Sequence, residues 1–330
     1  MSEQRPAVPP PRADPGEFGG IPLPGRSAVR TGSALAWARR RTALATFWRE
    51  FRKDRRGMTG LVILAIMIAV ALLAPVLANS RGLNPIYATA TPNSAPSLTY
   101  PLGTDSDGRS VLTMLIWGAR NSLLVGLTAT LISILIGAFV GVVAGHFGSI
   151  RARAGRLTDN LMMRVADWFL VVPFLPLAMV LARTIGPSLG VIILVIGLTS
   201  WAGTARIVRA QALAVETRPY LERAKALGAG HWHQMYRHVL PNVMPLLLAN
   251  TILTVAGTIL AETTLSFLGL GDPIRPTWGQ MLGAAYDYGV GTGNVVWLLA
   301  PGIAVILVVM AFTLVGHALE AVLDPKLRER

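Results

Sequence analysis

Long uncharged stretches alternate with short charged ones along most of this chain. A helix that crosses a hydrocarbon core of about 30 Å needs about 20 mostly apolar residues, at about 1.5 Å of rise each. Six segments meet that requirement, at 58–78, 122–145, 161–182, 189–205, 243–261 and 295–319. The pattern therefore predicts an all-α polytopic membrane protein with six transmembrane helices.

Small residues recur along the second predicted span. This segment carries no charge, and a small residue stands at every fourth position, at Ser133, Gly137, Gly141 and Gly145. Residues four apart share a helix face, and a face of small side chains lets a second helix approach closely. The spacing predicts a tight helix contact along this span.

Charged residues and prolines interrupt the third predicted span. Arg164 and Asp167 stand three residues apart near its start, so we expect them to form an ion pair close to the membrane surface. Pro173 and Pro176 should bend the helix, because proline lacks a backbone donor and its ring clashes with the preceding turn. The G-x-S-x-G pattern at 186–190 fits a turn between two membrane helices and not a hydrolase nucleophile, which needs a strand-to-helix turn.

The chain begins with two polar segments of different character. Residues 1–34 are rich in Pro, Gly, Ser and Arg and show no apolar periodicity, which predicts a disordered cytoplasmic tail. Residues 35–56 combine an apolar helical face with many arginines, which predicts a basic amphipathic helix at the membrane surface. The remainder divides into the first span and the loop that follows it, 57–121, and a core of five further spans, 122–330.

Composition and charge agree with a membrane location. The 330 residues are 52% hydrophobic and 14% charged, which is too apolar for an ordinary soluble domain. The net charge of +13 would suit nucleic acid, but the basic residues cluster beside the apolar spans. Such clusters retain loops in the cytoplasm and attract anionic lipid. We therefore expect contact with membrane lipid and none with nucleic acid.

The distribution of arginine and lysine indicates an orientation. The N-terminal region, the segment 151–156, the polar segment 214–242 and the C-terminus are basic, while the three alternate loops carry few cations. Cytoplasmic loops of membrane proteins carry an excess of these residues. The pattern predicts six spans with both termini in the cytoplasm, in a multi-pass protein of the cell inner membrane.

Several kinds of chemistry have no residues to support them. The chain has no cysteine, and no carboxylate is positioned to complete a metal site with His231, His233 or His238, so we expect no metal. The G-x-x-x-x-G-K-[ST] phosphate loop is also missing, so we expect neither ATP hydrolysis nor a bound cofactor in this chain. His317, alone in the sixth span, is expected to pack between helices.

The polar segment 214–242 predicts two short helices joined at a glycine. Pro219 suits a first helical turn, and Glu222 complements the positive end of that helix. Gly228 can adopt the left-handed conformation that ends a helix. Pro241 is expected to end the second helix, whose apolar stripe consists of Trp232, Met235, Tyr236 and Val239.

This segment resembles the EAA loop of the permeases of ATP-binding-cassette (ABC) importers. The residues at matching places are Glu222, Ala224, Gly228, Leu240 and Pro241, while Arg223 replaces the first alanine of the motif. The resemblance implies a coupling helix that docks in a cleft of a separate ATPase subunit, with His231 and Trp232 at the same contact. Taken alone, the helix–glycine–helix pattern also fits an amphipathic connector on the membrane surface.

A second block resembles one branch of that family, the importers of dipeptides, oligopeptides or nickel. Their extracytoplasmic Gly-Thr-Asp-x-x-Gly-Arg signature opens a helix before the second span, and it is matched by Gly103, Thr104, Asp105, Gly108 and Arg109. Ser110 stands where the family usually has aspartate. A calcium loop fits poorly, because the glycine has the wrong offset for an EF-hand and no bidentate glutamate follows.

The resemblance covers residues 100–328 and implies a type I ABC importer permease fold, in a C-type permease subunit. The implied partners are a homologous second permease, two ABC ATPase subunits that hold ATP and Mg, and an extracytoplasmic substrate-binding protein. The implied cargo is a dipeptide or oligopeptide that crosses the membrane by alternating access. Nickel or another small solute is the alternative.

One polar stripe lies within and just beyond the fifth predicted span, where Asn250, Thr254, Thr258 and Glu262 recur every four residues. A stripe that contains a carboxylate should not face lipid. Its residues could bond to neighbouring helices. They could also line a water-exposed translocation pathway, which the resemblance favours because the fifth span of type I importers borders the central cavity.

Two other classes of protein predict different patterns. A secondary transporter should show inverted repeats, broken helices and charged ion sites at mid-membrane. An intramembrane hydrolase needs a nucleophile and a base at matching depth. The sequence shows no such repeat, and His317 is the one candidate base in a span.

Overall fold

The computed structural model describes residues 41–42, 45–150, 152–289 and 294–323. Two units are present, Met1–Trp48 and Arg49–Arg330. In the first unit, residues 41–42 and 45–48 are helical. The predicted tail, 1–34, lies outside the described residues, and so do residues 35–40 and 43–44 of the predicted basic helix. All that follows concerns the second unit.

The second unit is built from helices joined by turns and by one long loop, 79–110, which contains two short 3-10 helices at Ser80–Leu83 and Pro85–Tyr87. Asp54 begins the first by accepting hydrogen bonds from the backbone N–H groups of Arg56 and Gly57. The helices are α1 (Arg55–Leu77), α2 (Val111–Gly148), α3 (Arg153–Val171), α4 (Phe174–Ile185), α5 (Leu189–Thr199), α6 (Trp201–Glu216), α7 (Pro219–Ala226), α8 (His231–Gln234), α9 (Leu240–Leu265), α10 (Trp278–Ala284) and α11 (Val295–Leu323). Single π turns follow α8, α9 and α10, at Met235–Val239, Ser266–Leu270 and Ala285–Gly289.

The described part of the chain has six candidate membrane crossings if one bent helix pair counts as a single span. Within the residues that the structure describes, five stretches are long and apolar enough to cross by themselves: Arg55–Leu77, Val111–Gly148, Leu189–Glu216, His231–Leu270 and Val295–Leu323. The helices α3 and α4 meet that criterion together and are bent by 88° at their junction. Pro173 lies at this break, which confirms the bend that its missing donor predicts.

Helix α2 is the central element and contacts α1, α3, α5, α6 and α9. Its 38 residues extend about 57 Å at about 1.5 Å each, so it is longer than the membrane core. It begins at Val111 rather than at the predicted residue 122, because the Ser110 hydroxyl caps it by accepting the backbone N–H of Thr113. The predicted boundary between 57–121 and 122–330 therefore falls inside this helix.

The small residues of α2 meet α6, as their spacing predicts. A Cβ atom would lie 2.8 Å from the Trp201 carbonyl oxygen at Gly137, 2.6 Å from that of Ala205 at Gly141, and 2.5 Å from Ala212 Cβ at Gly145. Real Cβ atoms do not approach other atoms so closely. The second span and the cytoplasmic half of the fourth are thus in direct backbone contact.

Two ion pairs join α3 to α6. The Arg209 guanidinium donates to both carboxylate oxygens of Asp159, at 2.6 and 2.7 Å. Arg206 donates to Asp167 at 2.5 Å. The expected pairing of Asp167 with Arg164 is therefore wrong, because an arginine on the neighbouring helix reaches the carboxylate. The expected packing role of His317 is also wrong, since its side chain is 66% exposed and lies 3.7 Å from Glu320.

Candidate functional site

The predicted coupling segment folds into a short helix closed by a glycine turn. Helix α7 begins with Pro219 at its first position and carries Glu222 in its first turn. At its end the Gly228 N–H donates to the Lys225 carbonyl and the Ala229 N–H to that of Ala224, both at 3.0 Å. This is a Schellman closure, and Gly228 has the positive φ, +81°, that it requires. The glycine prediction is confirmed at this position.

The second helix of the segment does not end at Pro241. Helix α8, the π turn Met235–Val239 and α9 form one continuous stretch, His231–Leu270, so the coupling segment runs into the fifth span. The Leu240 N–H donates to the Met235 carbonyl, five residues back. A π turn displaces the carbonyl that the ring of a following proline would otherwise meet. The helix therefore passes through Pro241 without stopping.

The apolar stripe of this second helix is divided between two environments. Met235 and Val239 are buried against α2, whereas Trp232 and Tyr236 are 70% and 76% exposed. The exposed pair lines an apolar groove of about 340 Å³ together with Phe139 and other residues of α2 and α9. The coupling segment thus exposes Trp232 and Tyr236, while Met235 and Val239 hold it to the bundle.

The matched motif residues lie along the outside of this segment. Glu222, Gly228, His231 and Pro241 are exposed, and Ala224 and Leu240 are partly buried. Residue Leu227, just before the glycine, is 88% exposed and marks the tip of the turn. An exposed acidic residue, two exposed aromatic rings and a fixed turn are suited to contact with another protein.

Beside this surface lies a polar cluster, centred on the buried side chains of His146 and Glu216, that no sequence motif indicated. Glu216, the last residue of α6, is bonded to His146 of α2 and to Lys225 of α7. His146 in turn reaches His231 of α8. These four residues come from four helices and lie up to 85 positions apart in the sequence, so only the fold brings them together.

The extracytoplasmic signature forms a compact turn. The Asp105 carboxylate is fully buried and accepts the backbone N–H groups of Asp107 and Arg109 and the Arg109 side chain, the last at 2.7 Å. Gly103 and Gly108 have φ of +77° and +76°, and a Cβ atom on either would lie 2.4 Å from a backbone oxygen. The Thr104 hydroxyl donates to the Thr91 carbonyl. The signature therefore holds the loop of 79–110 against the start of α2.

The signature leads directly into Val111, so it opens the second span itself and not a separate preceding helix. Its arginine also borders a cavity of about 940 Å³ at the outer end of the bundle. The other cations of that lining are Arg120 and Arg275.

The polar stripe of α9 lies against other helices of the same chain. Thr258 is 4% exposed and receives a hydrogen bond from Thr130 of α2 at 3.0 Å. Glu262 is fully buried and accepts from Ser266 at 2.7 Å. Asn250 and Thr254 are partly buried, and the Asn250 amide donates to Thr204 of α6 at 3.2 Å. The contacts of Thr258 and Asn250 join different helices, whereas the bond between Glu262 and Ser266 lies within one continuous helical stretch. Asn250 and Thr254 keep some exposure.

Two family models match the chain. Residues 137–329 match the binding-protein-dependent transport system inner membrane component. Residues 42–96 match the N-terminal transmembrane domain of oligopeptide transport permease C. The two matches together cover the first span, the last part of the second from residue 137, the bent pair and everything through the C-terminal helix.

Three curated relatives are similar over most of their length. The dipeptide transport system permease protein DppC of Bacillus subtilis is 36% identical over 85% of each chain. The di/tripeptide permease DppC of Pseudomonas aeruginosa is 34% identical over 86% of this chain and 93% of its own. The glutathione transport system permease GsiD of Pectobacterium atrosepticum is 30% identical over 87% and 93%.

A solved structure has the same fold. A chain of the MetNI methionine ABC transporter, in an inward-facing conformation, superposes with a TM-score of 0.52 at 22% identity. The superposition covers 63% of this chain and 96% of the other. At that identity the match establishes the architecture of the helices and nothing finer.

Proposed function

This chain belongs to the family of binding-protein-dependent transport system inner membrane components, and from that membership we propose that it is the permease subunit through which an ABC importer takes up short peptides. As a family member it is a multi-pass permease subunit of an ABC importer with the type I permease fold. The cargo is the proposed part. The relatives named for dipeptides, di/tripeptides and glutathione support it, and nickel or another small solute is the alternative.

The proposed assembly places this chain beside a homologous second permease, above two ATPase subunits and below an extracytoplasmic binding protein. The observation that supports it most directly is the coupling segment, in which an exposed turn fixed by Gly228 joins α7 to a second helix that continues into the fifth span. The chain has no phosphate loop, so ATP and Mg are assigned to the ATPase subunits and no cofactor to this chain.

The proposed cycle is a shift between two arrangements of the permease pair. ATP binding closes the ATPase subunits and draws the two coupling segments together, which opens the pathway outward. Hydrolysis releases the segments and the inward-open arrangement returns. Each arrangement exists without ATP, and the nucleotide changes their populations because it binds the closed ATPases better.

Uptake into proteoliposomes tests the cargo. The complete complex with ATP inside the vesicles and binding protein outside should accumulate a labelled dipeptide, and unlabelled di- and tripeptides should compete. Excess Ni²⁺ should leave that uptake unchanged. ATP-dependent accumulation of radioactive nickel, without competition by peptides, would contradict the peptide assignment and leave the permease assignment intact.

We further propose that the polar stripe of α9 borders the pathway at Asn250 and Thr254, the two members that keep some exposure. A cysteine at Thr254 should react with a small water-soluble thiol reagent, and its rate should change when ATP is trapped on the ATPases. A cysteine at Thr258, 4% exposed, should stay protected, as should one at Leu253. Protection of Thr254 in every nucleotide state would assign the whole stripe to helix packing.

A further inference from the structure

Five side chains form a hydrogen-bonded network at the cytoplasmic end of the bundle. His146 Nδ1 lies 2.6 Å from Glu216 Oε1, and His146 Nε2 lies 3.0 Å from His231 Nδ1. Lys225 donates to Glu216 Oε2 at 2.7 Å, and the Ser149 hydroxyl lies 3.2 Å from the same oxygen. His146 and Glu216 are 0% and 4% exposed. One buried carboxylate therefore connects α2, α6, α7 and α8.

The proton positions in this network follow from the donors and acceptors available. An ionised carboxylate accepts only, so His146 Nδ1 carries a hydrogen. With a neutral imidazole, His146 Nε2 is then an acceptor, and His231 Nδ1 is the donor that faces it. Lys225 and Glu216 balance each other's charge. Every polar atom at the carboxylate is satisfied, and no unpaired charge is buried.

A buried polar cluster of this kind contributes little net stability to the fold. Burying charged groups costs several kcal/mol of desolvation, and well-packed apolar residues often serve as well or better. Leu221 of α7 is already fully buried in an apolar cluster with α2 and α9. Apolar contact is non-directional, whereas hydrogen bonds to a fixed carboxylate set position and orientation. The network therefore fixes the orientation of the coupling segment, which apolar contacts already hold against the bundle.

We propose that Glu216 is a positioning residue for coupling, which ties the coupling segment to α2 and α6 through His146, Lys225 and His231. A displacement imposed on α7 and α8 then moves the second and fourth spans with it, since α2 and α6 are already in backbone contact at Gly137, Gly141 and Gly145. Without the network the turn between α6 and α7 would absorb part of the displacement. The inference rests on the proposed docking of this segment on an ATPase subunit.

Glu216→Gln is the primary test. The amide keeps one acceptor oxygen but replaces the other with a donor, so in either orientation Lys225 Nζ or His146 Nδ1–H loses its acceptor. Losing a charge-assisted hydrogen bond changes an equilibrium by on the order of tenfold or more. We expect the complex to assemble and hydrolyse ATP, while the ATP consumed per peptide imported rises about tenfold.

Asp167→Asn is the matched control. It removes a carboxylate that pairs with α6 at Arg206, within the same bundle but away from the coupling segment. Its ratio of ATP consumed to peptide imported should stay near that of the wild type. If Glu216→Gln also keeps the wild-type ratio, the inference is wrong, although the permease assignment would stand.

A distance measurement separates coupling from simple stability. Spin labels on cysteines at Ile207 of α6 and Leu227 of the turn, both exposed, are unique in a chain without native cysteine. In the wild-type complex the distance between them should be the same before and after ATP trapping. In Glu216→Gln it should change with nucleotide. A wild-type distance that itself changes would contradict rigid transmission.

Lys225→Gln keeps the test decisive if Glu216→Gln fails to assemble. Its side chain is 38% exposed, so the substitution should be tolerated by the fold while it removes one arm of the network. We expect a smaller rise in the ratio of ATP consumed to peptide imported, in the same direction. An unchanged ratio and an unchanged label distance would overturn the inference. Failure of the wild-type chain to bind any ATPase would instead remove the proposed function itself.

Discussion

Gly228 shows how one residue's conformation bears on function. Its φ of +81° closes α7, and no atom lies within 4 Å of the place where a Cβ would stand. A side chain there would be strained by the backbone conformation and not by a clash. Gly230, two residues on, has φ −68° and ψ 161°, which any residue adopts. Both positions have room for a side chain, so the two glycines differ in backbone conformation alone.

We predict that Gly228→Val weakens binding of the ATPase subunits and that Gly230→Val does not. A β-branched residue held at positive φ costs about 1–3 kcal/mol, so the turn should shift to another conformation. The measurement is the amount of ATPase subunit that co-purifies with equal amounts of detergent-solubilised permease. Equal loss from both variants would show that the turn's conformation is not what the partner requires.

Residue types that report backbone conformation were the most predictable from sequence. The positive φ of Gly228 follows from a glycine at the end of a short helix. The prediction that Pro241 ends the helix is wrong, because a π turn precedes the proline and accommodates it. In that turn the Leu240 N–H bonds to the Met235 carbonyl, five residues back. Glu216 was missed altogether, since its partners lie 9 to 70 positions away in sequence.

The spacing of small residues along α2 predicts a close helix contact, and the structure places α6 at that contact. Gly141 leaves no room for a side chain, because a Cβ atom would lie 2.6 Å from the Ala205 carbonyl oxygen and 2.7 Å from Val208 Cβ. Gly257 of α9 offers the contrast of an exposed helical glycine with nothing within 4 Å. Only the first glycine is required by packing.

We expect Gly141→Ala to lower the thermal unfolding midpoint of the purified chain and Gly257→Ala to leave it unchanged or raise it. Overpacking a close contact costs about 1–3 kcal/mol. Alanine in an open helical position instead favours the helix by up to about 1 kcal/mol. The comparison is made in one detergent by tryptophan fluorescence. A midpoint that falls equally in both variants would mean that the glycine stripe does not set the spacing of these helices.

The lengths of the apolar stretches predict where the membrane helices lie in the sequence. They do not predict which helices are neighbours or the angles between them. Pro173 predicts a bend in the third span, but the angle of 88° depends on what α3 and α4 each pack against. The pairing of Asp167 with Arg206 similarly requires α3 and α6 to be neighbours, which local spacing cannot show. Spacing within a helix therefore does not identify the partner of a charged side chain when a neighbouring helix carries the opposite charge within reach.

For the whole molecule, the charge asymmetry and the six-span count place the termini and the coupling segment on one side of the membrane. The opposite side carries the signature turn and the loop of 79–110. This arrangement agrees with the family match and gives each side its own proposed partner. The polar stripe of α9 was the least predictable part of the site, because periodicity shows that its residues share a face and not which neighbour covers that face.

The central claim is that the coupling segment contacts an ATPase subunit in the cytoplasm. A photo-crosslinking amino acid at Leu227, the exposed tip of the turn, tests it in the intact complex, with the same probe at the fully exposed Leu98 of the outer loop as the control. We predict that the probe at Leu227 links to an ATPase subunit and that the probe at Leu98 does not. An ATPase adduct from Leu98, or a binding-protein adduct from Leu227, would contradict the account.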